Sequence, residues 1–139
     1  MSKIPESEIL PITADISDEG RLAIGGCDVR DLVEEYGSPL YIYDEATLRD
    51  ICQDFVGSFT AEYEQTHIEY SSKAFANPAV SKIVEEEGLD MDVVTGGELA
   101  VAIASDFPAE RMNFHGNNKG REELSEAIQY GIGLITLDS

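Results

Sequence analysis

Residues 67–95 read HIEYSSKAFANPAVSKIVEEEGLDMDVVT, and three consecutive elements can be read from them. HIEYSS has the composition of a strand. A helix is predicted from about Pro78 to Glu87, because proline suits the first helical position and Gly88 stands just past the end. LDMDVV is then a second strand. The same alternation continues downstream. GELAVAIAS reads as a helix, RMNFH as a strand, REELSEAIQY as a helix closed by Gly131, and LITLD as a fourth strand. The order β-α-β-α-β-α-β with short connections predicts an α/β fold built on a parallel sheet with helices packed outside it. Periodicity does not distinguish an open doubly wound sheet from part of a closed barrel.

Upstream, Asp44 is placed to cap a helix from about Glu45 to Tyr63, with apolar Leu48, Ile51, Cys52, Phe55 and Phe59 at spacings of three and four. Gly57 weakens that helix slightly. SPLYIYD reads as a strand, and Asp31 as the cap of a small helix, LVEEYG, that Gly37 ends. LAIGGCDV reads as a short strand and turn, and residues 1–20 as an extended lead-in. The organisation expected is thus an N-terminal extension with short strands over 1–44 and a βα region over 45–139.

The chain has 139 residues, whereas a complete α/β barrel typically needs about 250. No apolar run approaches the roughly 18 residues of a membrane span. The first twenty residues lack the apolar stretch of a secretory signal, so a cytoplasmic location is expected. Nine Lys and Arg face 28 Asp and Glu, a formal net charge of −19. Such a field repels nucleic acid and anionic membranes, so neither is expected as a partner. A plain acidic surface and adaptation to high salt both account for the excess. The Glu85–Glu87 run reads as a solvated helix face. Cys27 and Cys52 form no CxxC pair and read as reduced apolar fillers, and no metal is expected.

In parallel α/β folds, active sites form at the C-terminal ends of strands. Lys73 follows the first strand of the repeat, the Asp90–Thr95 stretch ends the second, and His115 to Lys119 follow the third. An amine, carboxylates and an imidazole are therefore expected on one rim. Partial burial there lowers a lysine's pKa and favours the neutral amine that attacks an aldehyde, as in a Schiff base with pyridoxal phosphate. Thr95 and Glu98 are open to a plainer reading, as a helix cap and a first-turn acid favoured by the helix dipole. Gly96 and Gly97 suit a tight turn. Asn117, Asn118 and Lys119 are expected to order a loop. His67, before the first strand, reads as a surface residue.

YSSKAFANPAV, EEEGLDMDVVTGGELAVAI and ERMNFHGNNKGREELSEAI, preceded by SPLYIYDEATLR, occur in order at plausible separations. Together they resemble the diaminopimelate decarboxylases, in the alanine-racemase-like, fold-type III group of pyridoxal-phosphate enzymes. The likeness runs from about Leu22 to Ser139 and covers only the opening part of that family's chain. It implies the first half of a pyridoxal-phosphate-binding (β/α)8 TIM barrel, about four strands, preceded by a short N-terminal β segment. The implied reaction is decarboxylation of meso-2,6-diaminopimelate to L-lysine. Ornithine, arginine and carboxynorspermidine decarboxylases stand as alternatives within the same fold, and a non-catalytic βα module as one outside catalysis. Lys73 corresponds to the lysine that condenses with the cofactor aldehyde, Asp92 to a carboxylate beside the cofactor, and His115 to a pocket-lining residue. Ser139 is a further candidate for the mouth. The implied partner is a small amino-acid substrate, with a homodimer for the full-length protein.

The family's glycine-rich phosphate loop, the acid facing the pyridine nitrogen, the ring-stacking histidine, the substrate arginine and the C-terminal β-domain have no counterpart in these residues. The cysteine that domain supplies is matched by neither Cys27 nor Cys52. The 139-residue chain is accordingly expected to be inactive alone. Half a barrel leaves two open sheet edges and, on this expectation, an uncovered apolar interior, so the isolated chain should be marginally stable or aggregate. Sharp, concentration-independent unfolding of a monomer would contradict this.

Overall fold

The computed structural model describes residues 9–137, and the chain divides into two units, one ending at Ile51 and the other beginning at Cys52. In the first unit, strands β1 (Asp15–Ile16), β2 (Leu22–Ile24) and β3 (Cys27–Asp28) form an antiparallel sheet in that order. β2 turns into β3 through Gly25 and Gly26, at φ of 58° and 78°. Glycine adopts this left-handed backbone without steric cost, and two such residues match the twist of a tight hairpin. β1 lies within the stretch read as an extended lead-in, because β2 offers it a ladder partner, Asp15 opposite Ala23.

Helix α1 (Val29–Tyr36) is capped by Asp28, whose side chain accepts from Arg30 N at 2.8 Å. Asp31, the expected cap, sits instead in the first turn. A cap must be the last extended residue before the helix, and Asp28 (φ −65°, ψ 126°) fills that position. SPLYIYD does not form a strand: residues 38–44 pair with no strand among the described residues. Alternating apolar side chains favour extended backbone, but a ladder also requires a neighbour.

Helix α2 (Glu45–Glu62) starts where expected. Asp44 Oδ2 accepts from Thr47 N at 3.0 Å and from the Thr47 hydroxyl. Burial alone would push the Asp44 carboxyl up, but hydrogen bonds from the Thr47 and Thr13 hydroxyls and the Thr47 amide outweigh it and hold the group below its ordinary range. The apolar stripe of α2 remains largely in solvent. Ile51, Phe55 and Phe59 are about half exposed, and the Phe55 and Phe59 rings stack at 6.3 Å.

The second unit holds a parallel sheet of β4 (Glu69–Ser71), β5 (Asp90–Val93), β6 (Met112–Phe114) and β7 (Leu134–Ile135). Helices α3 (Pro78–Glu86), α4 (Gly96–Ala104) and α5 (Arg121–Tyr130) connect successive strands. The spatial order β4-β5-β6-β7 follows the chain, with no reversal. A doubly wound sheet reverses its order at a switch point, whereas successive right-handed crossovers without reversal keep every helix on one face, as in a barrel wall. The architecture is therefore α/β of the TIM-barrel type.

Alternation along the strands separates the two faces. Met91 pairs in register with Met112, and Val93 with Phe114. These four side chains are buried, as are Val80 and Val84 of α3, Leu99 and Ala102 of α4, Phe107, and Ala127 of α5. The opposite face is polar rather than the apolar interior expected from the sequence. Ser71, Asp92 and Asn113 stand side by side in register. Ser71 Oγ donates to Asp92 Oδ2 at 3.0 Å, and Thr136 Oγ1 to Asn113 Oδ1 at 2.9 Å. A polar group taken from water needs such a partner, and neighbouring strands supply them.

Gly133 marks a close approach of backbones. Its amide donates to Ala109 O at 2.8 Å, and a Cβ there would fall 2.2 Å from Glu110 O. Among the described residues no helix is long and apolar enough to cross a membrane.

Replacing Asp44 with alanine should cost about 0.5–2 kcal/mol in denaturant unfolding of the intact protein near neutral pH. Because the folded carboxyl titrates below its unfolded value, its stabilisation is present above about pH 4 and lost as pH falls through the folded value. The gap between the native protein and Asp44→Ala should therefore close in acid.

Candidate active site

The C-terminal ends of β4, β5 and β6 open onto one cleft of about 410 Å³. It is lined by Lys73 from the turn after β4, Asp92, Val94 and Thr95 from β5 and its exit, His115 to Asn118 after β6, and Glu123 of α5. The parallel register makes this convergence unavoidable, since three strands running the same way end at the same rim. Lys73 lies in a short 3-10 turn, Ser72–Ala74, directly after β4. It is exposed, not partly buried as expected from the sequence, because it lies in the turn beyond β4 rather than in the strand itself.

Asp92 is 9% exposed. One oxygen accepts from Ser71, while Oδ1 is buried with no hydrogen-bond partner among the described residues. A carboxylate oxygen without a donor is costly, and the ordinary remedy is a cationic or N–H group beside it. Asp90 belongs elsewhere. It opens β5, at the opposite end from the rim, where it pairs with His67 Nδ1 at 2.8 Å and Arg111 Nε at 3.3 Å. The two carboxylates stand two positions apart along β5, and of the pair Asp92 lines the cleft. His67 is exposed, as expected, and gains this partner.

Thr95 and Glu98 form a capping box at the start of α4. Thr95 Oγ1 accepts from Glu98 N at 3.3 Å, and Glu98 Oε2 accepts from Val94 N at 2.6 Å and Thr95 N at 3.1 Å. Thr95 also faces the cleft, whereas Glu98 is not among its lining residues. Gly96 and Gly97 are the first two residues of the helix itself.

His115 is exposed and lines the cleft, its amide donating to Val93 O at 2.9 Å. Lys119 Nζ ties off the loop on Gly116 O. Gly116 lies so close to β5 that a Cβ would fall 2.8 Å from Val94 O. Ser139 lies outside the described residues.

Sequence reasoning passed over two residues, Ser71 and Glu123. Ser71 was legible as the strand neighbour of Asp92 only once the register was known. Glu123 had a local signal, a Glu three residues after the helix-opening Gly120. Its Oε2 accepts from Gly120 N at 2.8 Å. The second bond, from Gly96 N to Oε1 at 2.7 Å, crosses 27 residues. The amides of Gly120 and then Gly96 outweigh desolvation and hold the Glu123 carboxyl below the usual range.

The parallel α/β scaffold thus brings a lysine at a strand end and a buried carboxylate to one cleft. Residues 48–139 match the model of the pyridoxal-dependent decarboxylase family, pyridoxal binding domain, and the chain belongs to that family. It is 48% identical over 123 residues to a diaminopimelate decarboxylase of Bacillus subtilis, a match spanning 88% of this chain and 28% of that protein. A diaminopimelate decarboxylase of Synechocystis is 45% identical over 143 residues, 96% of this chain and 30% of that one. The crystal structure of diaminopimelate decarboxylase from M. jannaschii in co-complex with L-lysine superposes with a TM-score of 0.79 at 33% identity, over 92% of this chain and 30% of that chain. The chain thus spans less than a third of the length of these relatives.

Gly116→Ala should destabilise the intact protein by about 1–3 kcal/mol in denaturant unfolding, because the new methyl meets backbone that cannot rotate away. Gly97→Ala, whose Cβ would meet nothing nearer than Thr95 Oγ1 at 3.8 Å, should be neutral or mildly stabilising.

Proposed function

We propose that this chain forms the lysine-bearing wall of a pyridoxal-phosphate-dependent amino-acid decarboxylase that converts meso-2,6-diaminopimelate to L-lysine and CO2. The observation that carries the reading is Lys73 at the end of β4, opening onto the same cleft as His115 and as Asp92 with its unpartnered buried oxygen. The residues fit the cofactor. A primary amine is the group that condenses with its aldehyde, and the orphaned Asp92 Oδ1 is an acceptor suited to a cationic or N–H group held at the rim. The cleft of about 410 Å³ lies within the range of small-molecule sites.

The chemistry that pyridoxal phosphate supplies when bound is a reactive aldehyde and an electron sink for the carboxylate's electrons. In this reading Lys73 Nζ, at the rim after β4, would be the amine that holds the cofactor through its aldehyde. Asp92 would hold positive charge at the cleft, and Ser71 Oγ, donating to Oδ2, fixes the rotation of that carboxylate. His115 lines the open side, and Asn117 and Asn118 offer amide donors and acceptors to ligand polar groups. The net change on the substrate exchanges a carboxylate for a proton.

The choice of substrate rests on the diaminopimelate decarboxylases at 45–48% identity and on the L-lysine bound by the M. jannaschii relative, lysine being the product of this reaction. A cytoplasmic homodimer belongs to the same reading.

The test is reduction with borohydride after adding pyridoxal phosphate to the intact protein, followed by peptide mass mapping. Label on Lys73, with decarboxylation lost in Lys73→Ala, supports the reading. Label confined to other lysines, or full turnover by Lys73→Arg, overturns it.

A further inference from the structure

Glu123 joins two loops of the cleft that lie far apart in the chain. Gly96 N–H is one of the donors that the first turn of α4 leaves without an intrahelical partner, and Gly120 N–H stands at the cap of α5. Each gives its hydrogen bond to a different oxygen of this one carboxylate, at 2.7 Å and 2.8 Å. Charge-assisted bonds of this kind are stronger than neutral ones. Both donors are glycines, and the space a side chain would take is filled by Glu123. A Cβ on Gly96 would lie 3.0 Å from Glu123 Cγ, and one on Gly120 3.0 Å from Oε2. The carboxylate is therefore seated in a cradle shaped by two residues without side chains.

We infer that Glu123 is a positioning residue of the cleft, clamping the segment that carries His115, Asn117 and Asn118 to the helix end that follows Asp92. The clamp acts before any ligand arrives. It also occupies the Gly96 donor, a helix-end amide of the sort that binds anions, so that an incoming phosphate or carboxylate must be met by other groups. The inference rests on the proposed cofactor site only for its ligand readout; the loop geometry stands by itself.

The experiment compares the intact protein with Glu123→Gln and Glu123→Ala. Gln keeps the shape and one acceptor oxygen, so it should recover part of what Ala loses. In the cofactor-free protein, hydrogen exchange in peptides covering Gly96 and Gly120 should accelerate by on the order of tenfold in Ala and by less in Gln, with peptides of β5 and β6 unchanged. The dissociation constant of pyridoxal phosphate, measured by titration, should rise in the same order, by roughly tenfold in Ala. Exchange and affinity within twofold of the native protein in both variants would overturn the inference, as would acceleration spread evenly over the whole sheet. If the Ala variant does not fold, Gln against native carries the same comparison. A native protein that takes up no pyridoxal phosphate, but whose two amide segments loosen in the variants, would sink the cofactor reading and leave the clamp standing.

Discussion

The parallel register around β5 is the constraint from which the rest follows. Its backbone is paired on both sides, with β4 through Ser71 opposite Asp92 and with β6 through Val93 opposite Phe114. Because the three strands run the same way, their ends coincide, and whatever residue follows each strand is delivered to the same place. The apolar residues of the ladder, Met91, Val93, Met112 and Phe114, are buried on one face. Shifting any strand by a single residue would turn these side chains outward and carry Asp92 or Asn113 into the apolar layer. The same register that seals the core thus holds Asp92 on the cleft side.

At the rim, helix starts and strand ends meet, and this explains why so many of its groups serve the backbone. Strand exits and the first turns of helices leave amides without partners. Glu98 takes those of Val94 and Thr95, and Glu123 those of Gly96 and Gly120. The loop after β6 lies directly on β5, through the His115 amide and the bare Cα of Gly116. Asp92 differs from these acids in keeping a buried oxygen, Oδ1, with no hydrogen-bond partner among the described residues.

The other end of the sheet is built differently. Arg111 bonds Asp90, reaches the carbonyls of Glu85 and Leu89, and lies 5.5 Å over the Phe107 ring. One guanidinium there satisfies acceptors from β5 and from the end of α3, consistent with the planar, multi-donor chemistry of arginine.

By itself the sequence determined what local physics controls. Proline and glycine at the ends of α3, the apolar runs of β5 and β6, the Asp44 cap and the strand–turn position of Lys73 each depend on a few neighbouring residues. The family likeness supplied the roles proposed for Lys73, Asp92 and His115. Only the tertiary structure decided the features that depend on distant partners. The unreversed strand order separated a barrel wall from a doubly wound sheet, and pairing with β2 made a strand of Asp15–Ile16 while the better-looking 38–44 segment found no ladder. Distant partners divided Asp90, held by His67 and Arg111, from Asp92, held by Ser71, and a 27-residue crossing brought Glu123 to Gly96. Hydrogen bonds between chain segments depend on where each segment lies in space, and spacing along one segment does not encode that.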